Sequence, residues 1–154
     1  MGLQLRRETH LLFGVGTTLF FFRFLQESLA ELLFIALLGS IIPDLDVRRK
    51  HRVLLHNVFS MFAFLFITLF MFVYLGYTYS NAFAFAFAGA YAYSSHLLLD
   101  SFTNRGVRLL WPLSNKWYGL RSANYDDPLM NITFSIIGAF LLFFELMRST
   151  GLLG

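Results

Sequence analysis

The sequence predicts an all-α integral membrane protein: one domain, a bundle of about five transmembrane helices, with metal-ligand residues gathered at one membrane face. Three observations carry that expectation. Hydrophobic residues make up 57% of the 154 positions, twenty of them Phe, while only 14% are charged, against roughly 25% in an ordinary soluble domain. The apolar residues fall into runs of helical length, separated by short polar stretches. Finally, Pro43 to Asn57 packs two aspartates, two histidines and four cations between two apolar runs. A purely structural loop needs turn residues and some solubility, not paired carboxylates and imidazoles.

Composition narrows the chemistry further. A soluble chain of this size keeps most residues near its surface, so this balance would leave large apolar patches in water. The absence of cysteine removes disulfides, thiolate ligands and thiol catalysis. A net charge of +3 is modest. No zinc finger, basic helix or interleaved aromatic strand accompanies it, so a nucleic-acid partner is not expected. Membrane lipids are the expected partners.

The spans are expected at about 10–25, 29–42, 53–77, 80–99 and 129–147 within a single domain covering 1–154. Arg6 and Arg7 precede the first apolar run as in a signal peptide, but no small-residue cleavage site follows, so it reads as a helix that stays. The second run, Leu29 to Ile42, has about 14 residues where roughly 20 cross a bilayer, so the first pair reads as a short or tilted hairpin. Pro43 ends it, having no N–H and disfavouring helix before it. Val53 to Tyr77 is the clearest span. The fourth reads Ala-Phe-Ala-Phe-Ala-Phe-Ala-Gly-Ala-Tyr-Ala-Tyr in its middle, an alternation that on its own suggests a strand. Length decides for a helix, because an isolated strand leaves its backbone unpaired in lipid. Ala82, Ala86 and Ala90 then share one face for close packing. The polar loop 101–127 carries Trp111, Trp117, Tyr118 and Tyr125, aromatics expected at an interface. Asp126 and Asp127 read as caps of the last span, ahead of Pro128, with an acid–base role as the alternative.

Five spans place the N-terminus, the 43–56 loop and the 101–128 loop on one side. That side collects Arg6, Arg7, Arg48, Arg49, Lys50, Arg52, Arg105, Arg108, Lys116 and Arg121, leaving Arg23 and Arg148 for the other. The excess marks the cytoplasmic face. The same sorting, made without reference to histidine, brings His10, Asp44, Asp46, His51, His56, His96 and Asp100 to that face. His96 and Asp100, at i and i+4, project from one side of a helix. Asp44 and Asp46, at i and i+2, point the same way if the backbone is extended. His51 and His56 are about 140° apart on an ideal helix, so one lies in the loop or the two differ in role. Imidazole and carboxylate without thiolate suit zinc, manganese or iron. Seven candidates leave open two neighbouring ions, or one ion with supporting groups behind its ligands. Each residue also has a plainer reading: a capping aspartate, an interfacial histidine, or a His96–Asp100 pair stitching helices together. Ionisable groups at membrane depth are costly, however, and tend to mark function.

The same residues carry a resemblance. Thr9-His10-Leu11-Leu12-Phe13-Gly14, Gly39-Ser40-Ile41-Ile42-Pro43-Asp44-Leu45-Asp46, and His51-Arg52-Val53-Leu54-Leu55-His56 follow one another along the chain. Then come Ser95-His96-Leu97-Leu98-Leu99-Asp100, Thr103, Gly106 and Leu109-Leu110-Trp111-Pro112. In this order they resemble the membrane-bound metal-dependent hydrolases of the YdjM type. Val47 departs from the His that many members carry there, removing a ligand that a second ion would use. Val53 and Leu55 replace common Gly and Thr, and Asn57 the more usual Ser. The resemblance implies a hydrolase.

On this basis the expected metal ligands are His10, Asp44, Asp46, His56, His96 and Asp100. Of these, Asp44, His56, His96 and Asp100 stand closest to the ion; His10, Asp46 and His51 serve a second ion, support the ligands, or act as acid and base. His51, Arg52 and Arg105 are the expected catalytic residues, the guanidinium forks holding phosphate oxygens. The cofactor is one or two divalent ions, with zinc first. The expected activity is hydrolysis of phosphoesters such as lipid headgroups at the cytoplasmic face. The alternatives are a metal-ion transporter and a non-catalytic metal-binding protein. Transport would place ionisable groups along a path through the membrane, yet no charged residue falls between Val58 and His96.

Overall fold

The computed structural model describes residues 5–46, 54–120, 124 and 127–152, with backbone alone at 26–28 and 46. The described architecture is all-helical. Five α-helices follow in order: α1 (Arg7–Phe21), α2 (Leu29–Ile41), α3 (Val58–Tyr74), α4 (Tyr79–Ser101) and α5 (Pro128–Ser149). Segments of 3-10 helix, Arg23–Ser28 and Ile42–Asp46, link α1 to α2 and continue α2. The described residues form no strand beyond an isolated antiparallel bridge between Val107 and Tyr118. By length and composition, α4 and α5 are long and apolar enough to cross a membrane. The 15, 13 and 17 residues of α1, α2 and α3 cover about 22, 20 and 26 Å, short of a hydrocarbon core of about 30 Å.

Local chemistry sets where these helices begin. Asp127 Oδ1 accepts from Met130 N at 3.0 Å ahead of Pro128, so the expected cap of the last helix is in place. Thr78 Oγ1 caps α4 by accepting from Asn81 N. The third helix corrects the sequence expectation, which began it at 53. Its first residue is Val58, because Asn57 takes an extended backbone and its side chain accepts from Ser60 N at 2.9 Å. His56 therefore sits on the approach to the helix rather than within it.

Helix α4 is the hub, packed against α1, α2 and α3. Its Phe–Ala alternation resolves as a helix with small residues inside. Ala82, Ala86, Ala88 and Ala92 are fully buried, Phe85 fills the core, and Phe83 and Phe87 face outward. Phe85 stacks on Phe72 of α3 with centroids 4.5 Å apart. Between α2 and α4 the backbones meet at Gly39 and Gly89: a Cβ on Gly39 would lie 2.5 Å from the Gly89 carbonyl oxygen. Helix α5 packs along α1, with Gly138 against the α1 backbone, and turns Ile132, Ile136, Phe140 and Phe143 outward. Such an apolar exterior suits lipid rather than water.

The polar segment after α4 works as a strap. Thr103 Oγ1 donates to the Asp100 carbonyl at 2.7 Å, holding the end of α4. Val107 and Tyr118 exchange backbone hydrogen bonds of 2.8 Å, and Leu120 N returns to Ser101 O. Val58 N then donates to Leu109 O at 2.9 Å. The strap thus fastens the start of α3 to the end of α4, and with it His56 to the neighbourhood of Asp100.

Candidate metal centre

Four elements deliver side chains to one point at that end of the bundle. His10 comes from the first turn of α1, Asp44 from the 3-10 turn after α2, His56 from the bend before α3, and His96 with Asp100 from the last turns of α4. His10, His56, His96 and Asp100 are all at least 97% buried. Asp100 stands between the imidazoles. Its Oδ1 lies 3.2 Å from His10 Nε2, and its Oδ2 lies 3.3 Å from His56 Nε2 and 3.6 Å from His96 Nε2. Asp44 Oδ1 is also 3.6 Å from His96 Nε2. The His10 and His96 rings stack, centroids 3.9 Å apart and 18° from parallel.

The decisive contact is behind His96. Its Nδ1 lies 2.8 Å from the Ser40 carbonyl oxygen. A carbonyl can only accept, so Nδ1 carries the proton and Nε2 is the nitrogen left to coordinate. That Nε2 is buried without a hydrogen bond, facing two carboxylate oxygens at distances beyond hydrogen-bond reach. His10 Nδ1 is likewise buried without a hydrogen-bond partner, while its Nε2 has Asp100 alone. Leaving such groups unsatisfied costs about 1–3 kcal/mol each, and a divalent cation would satisfy them together. Two groupings have ligand atoms mutually within 4.8 Å: His10, His96 and Asp100, and Asp44, His56 and His96. The donor set of nitrogens and carboxylate oxygens fits a metal ion.

The chain belongs to the YdjM inner membrane protein family. The family model matches residues 5–152, nearly the whole chain. No protein of curated function and no solved structure matches it. Membership agrees with the apolar exterior of the bundle and with α4 and α5 as membrane-crossing helices; a YdjM-family chain resides in the inner membrane.

Of the candidates read from this YdjM-family sequence, His10, Asp44, His56, His96 and Asp100 converge. His51 and Arg52 lie outside the described residues, as does the side chain of Asp46. The backbone at Ile42–Asp46 is a 3-10 turn rather than the extended stretch considered for Asp44 and Asp46. Arg105 is exposed on the strap, its guanidinium 5.3 Å from the centroid of Trp117. No hydrogen bond or ion pair among the described residues joins it to the cluster. Arg108 lies over the same indole at 4.5 Å.

Burial pushes the Asp44 carboxyl above the ordinary carboxylate range, and the Asp100 charge adds to this; His10, His56 and Arg7 oppose it. Sequence reasoning missed two supports. The Ser40 carbonyl that orients His96 is a backbone group, and nothing about serine announces it. Asn131 of α5 accepts from Thr9 Oγ1 at 2.8 Å and from Arg6 N at 2.9 Å, fixing the turn that carries His10. A polar residue one turn into an apolar span was the available signal.

Proposed function

We propose that this protein is a membrane-embedded, metal-dependent hydrolase of phosphoesters such as lipid headgroups, working at the cytoplasmic face of the membrane. The observation that carries this reading is the oriented His96, whose free Nε2 faces the carboxylates of Asp44 and Asp100 within a buried cluster. The ion is one or two divalent cations, with zinc favoured by imidazole and carboxylate ligands in a chain without cysteine. Asp44, His56, His96 and Asp100 would hold it, with His10 beside them on Asp100. When bound, a divalent cation supplies Lewis acidity and a water acidified to a pKa of roughly 7.

In the proposed reaction, water adds its oxygen to phosphorus and the ester P–O bond breaks. The proton lost by water ends on the departing alcohol. Asp44, 14% exposed at its side chain where the other four groups are enclosed, is the group positioned to meet substrate. Arg105 on the strap and Arg52 are the proposed phosphate holders. The cytoplasmic assignment follows from the Lys and Arg excess on the cluster's side, given five crossings of the membrane.

Purified protein in detergent should carry a divalent metal, measured by elemental mass spectrometry, and should hydrolyse phospholipid or generic phosphoesters until a chelator is added. His96→Ala and Asp44→Ala should lose the metal. A metal-free wild type, or variants that keep full occupancy, would sink the site. Full occupancy with no turnover of any ester would pass the case to a transporter or a non-catalytic metal protein.

A further inference from the structure

A groove of about 460 Å³ runs between α2, α3 and α4, within the range of small-molecule sites. Its walls repeat at helical spacing, with Ile35 and Ile42 from α2 and its continuation facing Ala63, Ile67 and Met71 from α3, and Tyr93 of α4 beneath. From Ser60 to Met71 the slot follows α3 for about 16 Å. It is long, narrow and apolar.

Of the three hydroxyl-bearing residues on the lining, Thr68, Tyr93 and Ser60, two are occupied elsewhere: Tyr93 donates its hydroxyl to the Leu55 carbonyl, and Ser60 donates to the Leu54 carbonyl. What remains is contact with hydrocarbon, and in a bilayer the available hydrocarbon is the lipid tail. The slot opens sideways, since Ile67 and Leu54 on its rim are 66% and 54% exposed. Its lining also adjoins the metal cluster along the chain. Ile42 is two residues before Asp44, Leu55 adjoins His56, and Tyr93 lies one helical turn before His96. A chain lying in the groove therefore brings its head to the depth of the carboxylates.

We infer that this groove seats one hydrocarbon tail of the substrate, so that the enzyme selects phosphoesters of long-chain amphiphiles over soluble phosphoesters. This rests on the hydrolase reading for its chemistry, since the bond broken is still the ester P–O bond with water as the nucleophile. The seating of the tail does not depend on that chemistry.

Two measurements on the full-length, detergent-purified protein separate these claims. In the first, phosphatidic acid with a diazirine in one acyl chain is photolysed with the protein, and adducts are mapped by peptide mass spectrometry. Adducts are expected on α2 and α3 along the groove. Adducts confined to the outward face of α5, around Phe140 and Phe143, would overturn the inference. In the second, turnover of 4-nitrophenyl hexadecyl phosphate is compared with that of 4-nitrophenyl methyl phosphate. The long-chain ester should have the higher kcat/KM by about tenfold or more. Ala63→Trp, which fills the slot, should reduce that ratio, and Phe140→Trp on α5 should not. Equal kcat/KM for the two esters overturns the inference and leaves the hydrolase standing. Groove adducts without turnover of either ester support the tail seat and remove the hydrolase.

Discussion

At His96 the two ring nitrogens have separate roles, one held and one left to coordinate, and the division reaches every other residue of the cluster. Nδ1 is held by the Ser40 carbonyl, which fixes the ring plane. Stacking on His10 fixes its height. Asp100 then links three imidazoles through its two oxygens, whereas Asp44 approaches one. This asymmetry predicts unequal costs. Asp100→Asn should weaken metal binding by on the order of 100-fold or more, beyond what loss of a supporting group usually costs. Asp44→Asn should cost less. Competition titration with a chelating dye checks the order. A larger loss at Asp44 would move the centre of the site toward His56 and the membrane surface.

Among the elements, what could be seen in the sequence depended on whether side chains or backbone did the work. Pro43 and Pro128 punctuate helices visibly, and Asp127 caps where a cap was expected. The Phe–Ala alternation of α4 was resolved by length against period, and the structure keeps the alanines inside. The start of α3 was misplaced because Val53, Leu54 and Leu55 look like helix until the cap at Asn57 is seen. The convergence of His10, Asp44, His56, His96 and Asp100 was readable because span order sorts residues to faces. Their orientation was not, since the Ser40 carbonyl that sets it has no sequence signature. Gly39 ties the two levels together. Packed against the Gly89 carbonyl, it brings Ser40 within reach of His96. Gly39→Ala should push α2 from α4, costing about 1–3 kcal/mol of stability and weakening metal affinity in the same variant. Leu37→Ala, on the outward side of α2, should spare metal affinity. Thermal unfolding in detergent, with and without added zinc, reads both effects. A Gly39→Ala protein with unchanged affinity would show that the α2–α4 contact does not position the histidine.

For the whole molecule, charge and crossing number decide which compartment the cluster meets. Ten of the twelve Lys and Arg residues fall on the side of the cluster when the chain crosses five times, and such an excess stays cytoplasmic. The short helices α1 and α2 make that crossing number a physical question. At about 22 and 20 Å they reach across only if the bilayer thins around them or flanking residues reach toward the interface. Their burial against α4 and α5 favours such a fit, because little of either helix has to be solvated by lipid alone. The absence of cysteine makes the test direct. Single variants Lys116→Cys, on the strap beside the cluster, and Thr150→Cys, after α5, can be exposed to a membrane-impermeant maleimide in spheroplasts. Thr150→Cys should label in intact spheroplasts, and Lys116→Cys only after permeabilisation. The reverse pattern would put the cluster on the outer face. Labelling of both from one side would mean that α5, the helix between the two positions, does not cross. With the cluster on the outer face, the substrate would have to be sought among the lipids of the other leaflet.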